Sequence, residues 1–113
     1  MAQEFKPNQA LAPVNTALGA TQIIAKLAQL EGWQLHGDGA EVAIEKTYRF
    51  DSYALALAFA NAVAFIAQRR DHHPDLLLQP RACSVRFRSH DAQGITQQDF
   101  ACAAQVDALL ASD

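Results

Sequence analysis

Residues 51–74, DSYALALAFANAVAFIAQRRDHHP, decide how the rest of the chain is arranged. They read as one long helix over 51–70. Asp51 or Ser52 offers an oxygen to the unpaired amides of the first turn. Leu55, Phe59, Ala62 and Ile66 recur at steps of three and four and predict the apolar stripe. Arg69 and Arg70 sit at the negative end of the helix dipole, and Pro74 stops the helix. From Ser52 to Gln68 there is no charged side chain. That run of 17 residues is at the short limit for a bilayer span and contains Ser52, Tyr53 and Asn61, so no membrane span is expected. A helix apolar on two sides fits better as the cover of a sheet on one side and of a second subunit on the other.

The flanks supply that sheet. Upstream, residues 16–31 predict a helix with Ala20, Ile23, Ile24, Leu27 and Leu30 on one stripe, Thr16 as its cap and Gly32 as its stop. A short strand over 33–36 follows, then a Gly37-Asp38-Gly39 turn. Over 42–50, Val42, Ile44, Tyr48 and Phe50 alternate with Ala43, Glu45, Thr47 and Arg49, and Lys46 interrupts the apolar face. Downstream, a strand over 76–79, a Pro80-Arg81 turn and a strand over 82–90 form a second hairpin. In the last strand Cys83, Val85 and Phe87 face one side, and Ser84, Arg86, Arg88 and His90 the other. A turn over 91–94 leads to a helix over 96–110 with Phe100, Ala103, Val106 and Leu110 inward. Two hairpins separated by a helix, in the order α-β-β-α-β-β-α, predict an α+β fold with an antiparallel sheet and its helices on one face. The opposite face must be solvated or covered by a partner. Residues 1–14, polar and carrying Pro7 and Pro13, read as a loose arm, and 15–113 as one domain.

Composition narrows the function. Of the 113 residues, 23 are alanine, so an apolar fraction of 50% conceals a modest supply of large side chains and favours close helix packing. A net charge of −3, with no basic run among nine Lys and Arg residues, excludes the counterion-release footprint of a nucleic-acid binder. Cys83 and Cys102 form no Cys-x-x-Cys, and free thiols in a reducing compartment are expected rather than a bridge. Residues 1–13 lack a basic start followed by an apolar run, so no secretory leader is expected and a cytoplasmic location is. There is no glycine-rich phosphate loop, nucleophile elbow or dinucleotide fingerprint. Both cysteines read as packing residues.

The chemistry-bearing residues are histidines at element ends. His72 and His73 close the long helix, and His90 ends a strand. An imidazole, with an ordinary pKa of about 6.5, suits proton transfer at neutral pH. Asp71-His72-His73-Pro74 beside His90 could place an acid and a base on opposite edges of a small polar ligand. Histidine is also a favourable group at a helix C-terminus, which would account for the pair without chemistry. Adjacent histidines rarely ligate one metal, and neither His-x3-His nor His-Glu-x-x-His occurs, so no metal is expected. Thr96-Gln97-Gln98-Asp99 is a capping-box pattern, which explains Asp99 as a cap. Asp99 could also orient His90.

From Gly32-Trp33 to the C-terminus, about 80 residues, the chain resembles the pterin-4a-carbinolamine dehydratases. The likeness rests on Tyr48-Arg49-Phe50-Asp51, Phe59-Ala60-Asn61-Ala62-Val63-Ala64, Asp71-His72-His73-Pro74-Asp75-Leu76, Ser89-His90-Asp91-Ala92-Gln93-Gly94-Ile95-Thr96 and Asp99-Phe100. The 18-residue step from His72 to His90 and the nine-residue step on to Asp99 agree with the family pattern. The resemblance implies a four-stranded antiparallel sheet with three helices on one face, and homo-oligomers, either dimers or tetramers. It implies a pterin substrate in a cleft lined by His72, His73 and His90, losing water from a 4a-hydroxytetrahydropterin to give the quinonoid dihydropterin, with no cofactor and no metal. His72 and His90 are expected to move the protons and His73 to orient the ring, with Asp71, Ser89 and Asp91 as polar contacts to substrate. Two positions depart from the family pattern. Gln68 stands where an ionisable residue is usual, and Pro80 where an aromatic is. They keep an alternative open: dehydratase-like relatives that assist RuBisCO assembly in bacteria with carboxysomes.

Overall fold

Residues 43–49, buried at Ala43, Ile44 and Tyr48, and residues 82–87, buried except at Arg86, build the centre of the sheet, and everything else is laid on it. The structure, a computed structural model, describes residues 16–111. The arm expected over 1–14 lies outside them. The elements are α1 (Ala20–Leu27), β1 (Gln34–His36), β2 (Ala43–Arg49), α2 (Tyr53–Arg70), β3 (Asp75–Gln79), β4 (Ala82–Phe87) and α3 (Gln97–Ala108). Short 3-10 turns occupy Gly39–Glu41 and His90–Ala92. The sheet runs β1-β2-β4-β3, and every neighbouring pair is antiparallel. The expected α+β order, with four antiparallel strands and three helices, is the order found.

The register puts Ile44 opposite Phe87, Tyr48 opposite Cys83 and Leu76 opposite Val85. These positions share the face turned to the helices. Ile44, Val85 and Phe87 pack with Val63 of α2 and with Phe100 and Val106 of α3 in one buried cluster. From α1, Ile23 and Leu27 reach that cluster only partly, as does Leu30 just beyond it. The opposite face carries Thr47 and Ser84, whose hydroxyls are 2.7 Å apart, and the Glu45–Arg86 ion pair at 2.6 Å.

Several boundaries differ from the expectation. The first helix is half the expected length and begins after Gly19, not Thr16. Gln22 Oε1 accepts from the Gly19 amide at 3.0 Å, while the Leu18 amide is drawn to the carbonyl of Ile95 at 2.8 Å. At the other end the chain leaves the helix by tight turns and reverses at Gly32, whose φ of 89° is the left-handed region glycine favours. The stripe on α2 is rotated. Ala56, Phe59, Ala60, Val63, Ile66 and Ala67 are buried, and Leu55 is exposed. The buried side combines Phe59, Val63 and Ile66 with the small Ala56, Ala60 and Ala67, which let α2 lie close to the sheet. At the end of α3, Leu110 is likewise exposed.

Lys46, which broke the apolar pattern of β2, does point toward α3. Its Nζ donates to Asp107 Oδ1 at 2.9 Å and to the carbonyl of Glu31 at 3.0 Å. Asp107 also accepts from Trp33 Nε1 at 3.1 Å and from the hydroxyl of Tyr48. Burial first, and the Asp107 hydrogen bond second, push the Tyr48 hydroxyl well above its ordinary pKa, so it donates throughout the physiological range. Among the described residues, no helix is long and apolar enough to cross a membrane.

Candidate active site

The C-terminus of α2 sets the first wall. Ser52 starts the helix by accepting from the Leu55 amide at 3.2 Å. Asp71 ends it in the left-handed conformation, with φ 51°. The His72 amide turns back to the carbonyl of Ala67 at 3.1 Å, which closes the terminus and aims the chain inward. Pro74 then holds His73 to extended backbone.

His72 is carried into the molecule by that turn. Its side chain is 13% exposed, and its ring stacks on Phe87 with centroids 5.8 Å apart and planes 7° apart. Its Nε2 lies 2.5 Å from Oδ1 of Asp99. Asp99 is wholly buried at the first turn of α3. Its Oδ2 accepts from the Thr96 amide at 2.9 Å and from the Ser89 hydroxyl at 2.8 Å. Asp99 is therefore both a cap and a histidine-orienting group, but the ring it orients is His72, not His90. The sequence pattern located the cap because Thr96 and Asp99 are three residues apart. It could not show which imidazole the folding of α2 would deliver.

The second wall is the loop after β4. That strand ends at Phe87, three residues earlier than expected. The Ser89 amide bonds the carbonyl of Gly94 at 3.1 Å, and the chain makes a 3-10 turn over His90–Ala92. The alternation that placed His90 beside Arg86 on the outer sheet face ends with the strand. His90 lies instead on an exposed turn at the cleft.

One cleft of about 290 Å³ is lined by Asp71, His72, His73, Arg88, Ser89, His90 and Asp91. Its size is at the lower end of the roughly 300–1,000 Å³ typical of small-molecule sites. Six of its seven lining residues are those singled out from sequence, and the three imidazoles come together from two segments. Ser89 differs from expectation in one respect. Its hydroxyl is buried and committed to Asp99 and Thr96, at 2.8 and 2.9 Å. Arg88 was missed, because strand alternation assigned it to the outer sheet face. Gln68 and Pro80 do not line the cleft, and Pro80 lies at the opposite end of the β3–β4 hairpin. Among the described residues, no cluster of three His, Cys, Asp or Glu side chains is arranged to hold a metal ion. Cys83 and Cys102 are free and buried, away from the cleft. Burial raises both thiol pKa values, that of Cys102 to about 11.

Comparison with known proteins adds the following. Residues 16–109 match the family model for pterin 4 alpha carbinolamine dehydratase. A protein of Paracidovorax citrulli, named a candidate pterin-4-alpha-carbinolamine dehydratase, is 56% identical over 96 residues, covering 85% of this chain and 83% of its own. One from Stenotrophomonas maltophilia with the same name is 44% identical, covering 81% and 78%. Among solved structures, the transcriptional coactivator/pterin dehydratase of Brucella melitensis superposes with a TM-score of 0.78 at 25% identity, covering 85% of this chain and all of that one. A pterin dehydratase-like protein identified as a RuBisCO assembly factor in the alpha-carboxysome superposes at 0.61, also at 25% identity, covering 74% and 94%.

Proposed function

The chain belongs to the pterin-4-alpha-carbinolamine dehydratase family, and on that premise we propose that it removes water from a 4a-hydroxytetrahydropterin to give the quinonoid dihydropterin. The observation that carries the reading is the meeting of His72, His73 and His90 around one cleft of a size suited to a bicyclic ring.

The reaction breaks the bond from C4a to the hydroxyl oxygen and removes the proton from N5. One group must give a proton to the departing oxygen, and one must accept the N5 proton. The net products are water and the quinonoid ring. Asp99, as a carboxylate, can only accept, so Nε2 of His72 carries the proton of their shared bond. The neutral ring then has its lone pair on Nδ1, which makes His72 the base. His90, on an exposed turn, is the acid that protonates the leaving hydroxyl. His73, held extended by Pro74, orients the ring, with Asp71 and Asp91 as polar contacts. Ser89 acts through Asp99, whose position its hydroxyl fixes. Each proton transfer contributes about 10²–10⁴-fold to the rate. No metal or cofactor takes part in this scheme. Two buried free thiols fit a cytoplasmic location.

A homo-oligomer is part of this reading. On α2, Leu57 and Phe65 are exposed on the side away from the sheet, Phe65 at 70%, and a second subunit would cover them. The alternative is a dehydratase-like role in RuBisCO assembly, favoured by the likeness to the assembly-factor structure. A direct dehydration assay on a 4a-hydroxytetrahydropterin separates the two. Wild-type turnover that His90→Ala reduces by about 10²-fold or more supports the enzyme. Wild-type protein no faster than buffer removes it and leaves the assembly role.

A further inference from the structure

The cleft holds one cation whose presence the fold does not explain. Arg88 stands directly after β4, with its side chain 13% exposed. Its Nε is buried without a hydrogen-bond partner among the described residues. Its terminal nitrogens meet two carboxylates, Nη1 that of Glu41 and Nη2 that of Asp75. These acids are 73% and 67% exposed, and the Asp75 contact is long, at 3.5 Å. Exposed acids hold an ion pair weakly against water. A desolvated guanidinium with an unpaired donor works against folding. A buried polar group left unsatisfied in a folded protein calls for a reason. Here the same guanidinium lines the cleft beside His73 and His90.

We propose that Arg88 is a substrate-binding residue of this cleft, whose guanidinium gives up its long Nη2 contact to Asp75 and turns the edge carrying Nη2 and the unpaired Nε to the ring carbonyl of the bound pterin. The ligand group is a neutral acceptor for an electrostatic reason. Glu41 and Asp75 together already outweigh the single positive charge, and Asp71 and Asp91 add two more acids to the rim. An anionic group would meet surplus negative charge, whereas a carbonyl needs only the donor. The fixed planar fork of arginine suits such an acceptor. This inference rests on the pterin reading of the same cleft.

The test is equilibrium binding of two pteridines to the full chain, with a thermal melt of each variant. One ligand is 2-amino-4-oxopteridine. The other is 2,4-diaminopteridine, which replaces the carbonyl by an amino donor. Wild type is expected to prefer the oxo compound. Arg88→Met should weaken the oxo compound by about tenfold or more, leave the diamino compound nearly unchanged and melt no lower than wild type. Arg88→Lys, which keeps a donor, should recover part of the preference. Arg88→Met binding the oxo compound as wild type does would overturn the assignment. So would equal loss of both ligands with a lowered melting temperature, which would mark Arg88 as a strut. Wild type binding neither compound would overturn the pterin reading itself and this assignment with it.

Discussion

His72 Nε2 and Asp99 Oδ1 lie 2.5 Å apart, joining the end of α2 to the start of α3 across 27 residues of sequence. The bond belongs to a buried set in which Asp99 also takes the Ser89 hydroxyl and the Thr96 amide. One carboxylate thus caps a helix, fixes an imidazole and anchors the loop that carries His90.

Asp99→Asn keeps the shape and removes the charge. The amide has a single acceptor oxygen for three donors, so one of them loses its bond. A stability loss of about 1–3 kcal/mol is expected, read as a lower urea midpoint with an unchanged slope. The amide nitrogen, a donor, would face His72 Nε2 and favour the opposite tautomer, with the proton on Nδ1. Dehydration should fall by about tenfold or more, beyond what the folded fraction explains. A variant as active as wild type would reduce Asp99 to a cap.

The exposed side of α2 gives a second expectation. Leu57→Asp and Phe65→Asp each place a carboxylate on the surface assigned to a partner subunit. Both should sediment as monomers where the wild type sediments as an oligomer, and both should stay folded because neither residue is in the core. Sedimentation coefficients unchanged by either substitution would count against that interface.

The buried thiols predict an alkaline weakness. The folded pKa of Cys102 is raised to about 11 from a usual 9.0, because burial disfavours the thiolate. The unfolded chain therefore gives up this proton first as the pH rises. Stability is whole below pH 9 and falls between about 9 and 11, by up to about 1.4 kcal/mol per pH unit. Cys83 adds to the same slope, its pKa being raised by burial as well. Urea midpoints measured from pH 8 to 11 should show the decline, and Cys102→Ala should flatten it relative to its own value at pH 8. A disulfide reagent at neutral pH should modify neither thiol until the chain unfolds.

The architecture was legible because period and punctuation agreed. Ser52 and the Arg69-Arg70 end bounded α2, Pro80-Arg81 marked one hairpin, and Thr96 with Asp99 fixed the start of α3. What sequence could not fix was azimuth and the last residues of elements. On α2 large apolar residues lie on both sides, Phe59, Val63 and Ile66 buried and Leu55, Leu57 and Phe65 exposed, so a count of them does not give the side that meets the sheet. The end of β4 depends on the Ser89–Gly94 pairing, a bond between residues whose types do not demand it. That early end is why His90 lies at the cleft and why strand alternation did not point to Arg88 as a lining residue. The partner of Asp99 lay beyond reach for the same reason: it is set by tertiary folding across two helices. The three histidines were legible as a set because their residue type and spacing matched a family pattern. Their meeting in space is a property of the fold.

The most direct test of a single pterin cleft is the response of the histidine ring resonances to a bound pterin. The four imidazoles supply their own control, since His36 lies on β1 and does not line the cleft. With imidazole nitrogens labelled, titration with 2-amino-4-oxopteridine should shift the ring signals of His72, His73 and His90 along one saturation curve and leave His36 in place. Signals of those three that stay fixed at saturating ligand, or that follow separate curves, would contradict the account.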